Sequence, residues 1–167
     1  MREVSVGEAI GRKYPEQVVL ATSVDKQGKA NVMPLGWSMI TSGKPPMLAI
    51  SIGHKRHTHK LIEECGEFVL AFPAPGQEQP LLYCGTHSGR DVDKFKESGF
   101  EALPAKKVKP PLIAGCVSNF ECRVVGKLST GDHTIFVGEV LAAHIEDEAR
   151  VRLYNLGGRR FKGISPE

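Results

Sequence analysis

The spacing of apolar and polar residues predicts a chain built mainly from β-strands. Runs of β-branched and apolar residues are separated by turns rich in glycine, proline and polar residues, as is typical of short strands in an antiparallel sheet. The turn at residues 25–29 predicts a hairpin between the first two strands. The predicted strands cover residues 17–24, 30–40, 47–52, 67–72, 112–126 and 134–145.

Three short helices complete the prediction, over residues 4–14, 58–65 and 91–98. The second has apolar residues at helical spacing and Gly66 in the position where a helix commonly stops. With about six strands and few helices, we expect a β-barrel, because closure removes the exposed edges of a sheet. The 167 residues are enough for one domain, 1–167, with its own core.

Composition excludes several classes of protein. The formal net charge is only +3, which argues against nucleic-acid binding through a broad basic surface. Charged residues interrupt the apolar residues of the N-terminal segment, and no stretch is long enough to span a bilayer, so we expect a cytoplasmic protein without membrane partners. Cys65, Cys84, Cys116 and Cys122 form no CxxC pair, which predicts reduced thiols. If residues 112–126 are one strand, Cys116 and Cys122 share a face and pack in the core.

A first candidate site follows the third strand, where residues 51–60 read SIGHKRHTHK. An anion placed there would accept hydrogen bonds from Arg56, Thr58 and the amides that begin the next helix. A solvated basic turn is the alternative. A metal site formed by His54, His57 and His59 is a weaker reading, because no Cys, Asp or Glu lies in the same run.

A second candidate site lies in residues 84–95, CGTHSGRDVDKF. Gly89 lets the backbone approach a ligand, Ser88 can cap the helix, and Arg90 and Lys94 place positive charge on its first turn. A capped helix with balanced charges is the alternative, because Asp91 and Asp93 are also present.

A third segment, residues 31–40, contains the single tryptophan, Trp37. Pro34 and Gly36 would interrupt the strand and leave backbone groups free to read the edge of a planar ring. A bulge with a core tryptophan is the alternative. No catalytic triad, HExxH, Walker loop or GxGxxG motif occurs, so we expect a bound cofactor to carry the chemistry, with no catalytic residue and no metal supplied by the chain.

Taken in order, these segments resemble the flavin reductase-like family and, within it, the flavoredoxin type. The similarity extends from residue 18 to residue 145, and its most specific block is CGTHSGRDVDKF. The other matching segments are NVMPLGWS, KPPMLAISI, HKRHTHKLIEECGEFVLAFP, VKPPLIAG, NFECRV and GDHTIFVGEVLAAHI. His57 and Pro34 depart from the pattern usual at their positions.

The resemblance implies an FMN-binding split barrel that forms a homodimer, with FMN near the subunit interface. It further implies an oxidoreductase that passes hydride or electrons from NAD(P)H through FMN to a flavin, a metal chelate or a redox protein. The alternative is a flavoredoxin-like electron carrier without significant NAD(P)H activity. By position, the flavin ring and ribityl chain would meet Leu35, Gly36, Trp37, Ser38, Ser51 and Ile52. The rest of the implied FMN site is Arg56, Thr58, Cys84, Ser88, Gly89, Arg90 and Lys94, most of it at the phosphate.

Overall fold

The computed structural model describes residues 1–148 and 151–165 and confirms a mainly β protein. Four short helices accompany twelve strands within the described residues. The helices are α1 (Val6–Gly11), α2 (His57–Cys65), α3 (Glu78–Thr86) and α4 (Lys94–Ser98). The strands are β1 (Glu16–Gln17), β2 (Val19–Val24), β3 (Ala30–Leu35), β4 (Ser38–Gly43), β5 (Pro46–Gly53), β6 (Glu67–Phe72), β7 (Ala102–Leu103), β8 (Leu112–Ile113), β9 (Ser118–Thr130), β10 (His133–Ile145), β11 (Arg152–Gly157) and β12 (Arg160–Ile164).

Seven strands form one antiparallel sheet in the order β3-β2-β6-β9-β10-β5-β4. Its two edge strands, β3 and β4, follow each other in the chain and are joined only by Gly36 and Trp37. Because so short a connection spans about 10 Å, the sheet must curl until its edges approach each other. No hydrogen-bonded ladder joins β3 to β4, so the expected barrel is confirmed only as a curled, open sheet.

Several predicted boundaries were wrong. Residues 30–40 form two strands at opposite edges of the sheet, because the chain turns at Gly36 and Trp37. Residues 112–126 are also divided, since residues 114–117 leave the strand conformation between β8 and β9. Helix α3 and the β11–β12 hairpin were not predicted. The helix predicted over residues 91–98 begins only at Lys94, after its N-cap Asp93.

The core has two parts, one on each face of the sheet. Strand β2 is buried along its whole length, because alternate residues enter the two parts: Leu20 packs with Leu81 and Phe100, whereas Ala21 packs with the Phe68 and Phe136 cluster. Helix α2 covers the second part and ends, as predicted, at Gly66 in the left-handed conformation. No described helix is long and apolar enough to cross a membrane.

A buried carboxylate anchors the lysine-rich segment 105–111, which precedes β8. Glu121 on β9 is fully buried and accepts hydrogen bonds from the amides of Lys106, Lys107 and Val108. Its Oε1 lies 2.6 Å from His144 Nε2. Burial raises the pKa of Glu121, but these hydrogen bonds outweigh burial and hold the pKa below its ordinary value. The carboxylate therefore stabilises the fold as an ion.

We predict that Glu121→Gln lowers the free energy of unfolding by about 2–4 kcal/mol at pH 7, because the amide leaves buried donors without a matching acceptor. Because the folded pKa is depressed, the contribution of the wild-type carboxylate is present above about pH 4.5 and is lost as the pH falls through the folded pKa. Urea unfolding at several pH values measures both effects. Glu139→Gln, at the surface ion pair with Arg123, is the control and should change stability by less than about 1 kcal/mol. A similar loss in both variants would contradict the assignment.

Candidate functional site

A cleft of about 520 Å³ lies where the β3–β4 connection, the end of β5, the start of α2 and the segment after α3 meet. This volume is typical of sites that bind cofactors and other small molecules. Twelve of the thirteen predicted site residues line the cleft: Leu35, Gly36, Trp37, Ser51, Ile52, Arg56, Thr58, Cys84, Ser88, Gly89, Arg90 and Lys94. The fold thus brings together segments that are far apart in the sequence.

Ser38 is the predicted residue that does not line this cleft. Gln17 Nε2 donates to Ser38 Oγ at 3.0 Å and to the Ser38 carbonyl oxygen at 2.5 Å, which ties β1 to the start of β4. Ile52 and Cys84 line the cleft but are each 1 % exposed, and both side chains pack in the core. These two residues therefore offer little surface to a ligand.

One part of the cleft carries a concentration of positive charge. Its described lining includes Lys55, Arg56, Arg90 and Lys94 but no aspartate or glutamate. Both terminal nitrogens of Arg90 donate to the Lys55 carbonyl oxygen at 3.3 Å, which joins the two basic segments of the sequence. Arg56 forms no ion pair within residues 1–148 and 151–165. This lining favours an anion over a neutral or cationic group.

The positive potential is reflected in the titration of His57, which also lines the cleft. Burial lowers the pKa of His57, and the nearby charges of Arg90, Lys60 and Lys94 lower it further. A positive charge on His57 is therefore disfavoured, whereas a bound anion would offset the repulsion from the neighbouring cations. His54, Lys55 and Arg56 are exposed, as the solvated-turn interpretation expects, and Lys55 and Arg56 also line the cleft.

Lys94 lies on the first turn of a helix, as predicted, but its charge is engaged by the protein backbone. Its ammonium group is buried and donates to the Val32 carbonyl oxygen at 2.9 Å and to the Cys84 carbonyl oxygen at 2.7 Å. Burial lowers the pKa of Lys94, and the charge of Arg56 adds to that effect. Lys94 therefore joins α4 to β3 and to α3, and contributes charge from beneath the cleft.

Close packing explains the requirement for glycine at position 89. A Cβ atom there would lie 2.1 Å from Oδ1 of the buried Asn31, far inside any real contact distance. Asn31 Nδ2 donates to Thr58 Oγ1 at 2.9 Å, so the Thr58 hydroxyl keeps its own proton to donate. No side chain caps the N-terminus of α2, which leaves its first amides without a side-chain acceptor.

The other part of the cleft is lined by less polar residues, among them Leu35, Gly36 and Trp37. The Ser51 amide donates to the Trp37 carbonyl oxygen at 2.9 Å and fixes the β3–β4 connection against β5. Trp37 is 50 % exposed, so the interpretation of it as a core residue was wrong. Its ring lies 4.8 Å from the ring of His133. Leu35 and Gly36 continue this wall.

His133 was not predicted as a site residue. Its Nδ1 lies 2.6 Å from Asp132 Oδ1, and this hydrogen bond is the main cause of the lowered pKa of Asp132. The pairing of β10 with β5 places His133 opposite Gly53, a register that the sequence alone does not reveal. The lining residues that were not predicted are Asn31, Met33, Pro34, Gly53, Lys55, His57, Gly85, Thr86, His87 and His133.

Neither a metal cluster nor a reactive thiol is found in the described part of the chain. No group of three or more His, Cys, Asp or Glu residues there could hold a metal ion. Of the three histidines considered as an alternative metal site, His57 lines the cleft, whereas His59 Nε2 lies 2.9 Å from Thr134 Oγ1 and its ring contacts that of His54. Cys116 and Cys122 pack in different core clusters, and burial raises the pKa of each to about 12. Burial also raises the pKa of Cys84.

A comparison with protein-family models finds the flavin reductase like domain over residues 11–165. The chain belongs to the flavin reductase-like family. Membership accounts for the agreement between the predicted residues and the observed cleft, and it confirms the resemblance inferred from the motifs.

Relatives of this flavin reductase-like protein include uncharacterised and characterised proteins. An uncharacterised protein of Archaeoglobus fulgidus is 46 % identical over 128 residues, covering 77 % of this chain and 71 % of its own length. The NADH-dependent FAD reductase of Streptomyces globisporus is 30 % identical over 124 residues, covering 74 % of this chain and 66 % of its own.

Solved structures agree with the fold. Flavoredoxin from Methanosarcina acetivorans matches with a TM-score of 0.84 and 30 % identity, over 100 % of this chain and 94 % of that protein. The FMN-binding protein from Thermus thermophilus with bound p-hydroxybenzaldehyde matches with a TM-score of 0.86 and 25 % identity, over 100 % and 96 %.

Proposed function

We propose that this protein is an FMN-dependent oxidoreductase that passes hydride or electrons from NAD(P)H to a flavin, a metal chelate or a redox protein. The observation that carries the proposal is a cleft of cofactor size with four cations and no carboxylate in its described lining, beside a less polar wall that contains Leu35 and Trp37. The relatives support it, since one is an NADH-dependent FAD reductase and a structural neighbour is an FMN-binding protein.

The residues present fit a flavin 5′-phosphate. Arg56, Thr58 and Ser88 line the basic part of the cleft, with Arg90 holding the two segments together. These donors, with the uncapped start of α2, would hold the phosphate by charge-assisted hydrogen bonds. Leu35, Gly36 and Trp37 would line the isoalloxazine ring. Bound FMN supplies the redox chemistry, accepting and passing on hydride or electrons.

The protein's own contribution to turnover is orientation and proton handling. In the neutral histidine, the short contact with Asp132 places the ring proton on Nδ1, which leaves Nε2 as the basic nitrogen. Nε2 packs against Gly53, since a Cβ atom added to Gly53 would lie 3.4 Å from it. Both residues line the cleft, and the His133 ring also contacts the ring of Trp37. His133 Nε2 can therefore take up or deliver a proton at the ring-facing part of the cleft.

We predict that Arg56→Gln weakens FMN binding about tenfold to a hundredfold and leaves riboflavin binding unchanged, because one charge-assisted bond to the phosphate is lost. Fluorescence titration of both flavins onto apoprotein measures this. Lys60→Gln is the control: Lys60 lies on α2 in an exposed ion pair with Glu64 and does not line the cleft. Equal affinity of the wild-type protein for FMN and riboflavin would contradict the phosphate assignment.

We also predict that NADH or NADPH bleaches the flavin absorbance near 450 nm in the FMN-loaded protein without oxygen. The flavoredoxin neighbour gives the alternative, an electron carrier without significant NAD(P)H activity. The two are separated by adding dithionite after the nicotinamide. A flavin that dithionite reduces and neither nicotinamide reduces would establish the carrier and exclude the reductase.

The proposed assembly is a homodimer that uses the free edge of β4. This edge carries Met39, 57 % exposed, and Ile40, 78 % exposed, beside the half-exposed Trp37. An apolar edge strand left in water favours association. We predict that the wild-type chain elutes with the mass of a dimer in size-exclusion chromatography with light scattering, and that Ile40→Lys shifts it towards monomer. Lys29→Glu, on the 25–29 turn, is the control. A monomeric wild-type chain would contradict the proposal.

A further inference from the structure

A second cleft, of about 450 Å³, adjoins the proposed flavin cleft. Tyr14, helix α3 and the tip of the β11–β12 hairpin surround it. Five residues line both clefts, which therefore border each other: Pro34, Leu35, Gly36, Gly85 and Thr86. A molecule in the second cleft would therefore lie next to the ring-facing part of the first.

The hairpin tip contains an unusual backbone conformation. Gly158 and Arg159 form the two-residue turn between Gly157 and Arg160, with φ angles of 60° and 62°. Such a turn requires positive φ at both central residues and strongly favours glycine at the second. Arg159 is the one non-glycine residue with positive φ in residues 1–148 and 151–165. A side chain is thus kept where its backbone conformation is unfavourable.

No contact within the fold accounts for that side chain. Arg159 is exposed and forms no ion pair or side-chain hydrogen bond with another described residue. It is also the only charged residue in the described lining of the second cleft. Strained residues without a structural purpose are commonly found where function requires them.

The remaining lining indicates what the cleft would hold. Tyr14, Leu81 and Phe161 supply apolar and aromatic surface, and Arg159 supplies a single positive charge. Asn155 Oδ1 is already engaged by the Gly157 amide at 2.9 Å. The combination suits a flat aromatic or heteroaromatic group that carries one anionic substituent.

We propose that the second cleft binds the redox co-substrate of the flavin, an aromatic molecule bearing a carboxylate or phosphate, and that Arg159 holds this anion. The inference rests on the proposed function, because it places the co-substrate beside the flavin cleft. Arg159 is a specificity-determining residue in this scheme and takes no part in flavin binding.

The test uses Arg159→Gly and Arg159→Gln in the FMN-loaded protein. Glycine removes both the charge and the backbone strain, so we expect Tm to rise by about 2–4 °C while binding of the anionic partner weakens about tenfold. Glutamine removes the charge alone, so binding should weaken equally without the rise in Tm. Arg160→Gln, at the neighbouring residue that lines neither cleft, should leave binding unchanged.

Two pairs of probes distinguish the source of the anion. NADH is compared with N-benzyl-1,4-dihydronicotinamide, a hydride donor without phosphate, by the KM for flavin reduction. Benzoate is compared with benzaldehyde by perturbation of the flavin spectrum. If the Arg159 variants bind only NADH more weakly, the anion is a phosphate, and if they bind only benzoate more weakly, it is a carboxylate. Weaker binding of both supports the shared chemistry. Unchanged affinity for both anions, or an equal loss for the neutral probes, would overturn the assignment.

The two proposals fail in distinguishable ways. If neither nicotinamide reduces the wild-type flavin, the proposed reductase activity is wrong, yet the benzoate comparison still reports on Arg159. If FMN itself binds more weakly to Arg159→Gly, then Arg159 belongs to the flavin site and the second cleft has no separate role.

Discussion

The two-residue connection at Gly36 and Trp37 is the constraint on which the arrangement of this protein depends. It holds the two edges of a seven-stranded sheet close together and thereby forces the sheet to curl. A Cβ atom at Gly36 would lie 3.0 Å from the Glu16 carboxyl group, so the connection is also confined from the side of β1. The curl creates the cleft, and the connection itself becomes one wall of it. Fold and site therefore share one cause.

Electrostatics gives the cleft its selectivity. Positive side chains converge from the end of β5 and from the segment after α3, and the described lining has no carboxylate to balance them. Burial is the main cause of the lowered pKa of His57, and the nearby cations lower it further. The charge of Glu121, by contrast, is buried and is satisfied by hydrogen bonds from backbone amides. The imbalance is thus a local property of the cleft.

The basic part of the site was predictable from the sequence because its cationic and glycine residues occur in two short runs, each of which remains together in the fold. The ring-facing residues Leu35, Ser51 and Ile52 were implied by the family resemblance instead. Prediction failed where the answer depended on pairing between distant strands. His133 reaches the cleft only through its register opposite Gly53. The division of residues 30–40 into two strands depends on closure of the whole sheet, and Lys94 is buried only because β3 and α3 offer it carbonyl oxygens. Local patterns carry no signal for such long-range contacts.

The β11–β12 hairpin belongs to a small sheet with β1 and shares no ladder with the seven-stranded sheet. Its tip borders the second cleft but not the first. A change in the length or residues of this tip would therefore leave the basic cleft and the core intact. Tolerance to change is therefore confined to the tip, because the base of the hairpin is anchored by Leu153, which is fully buried in the core.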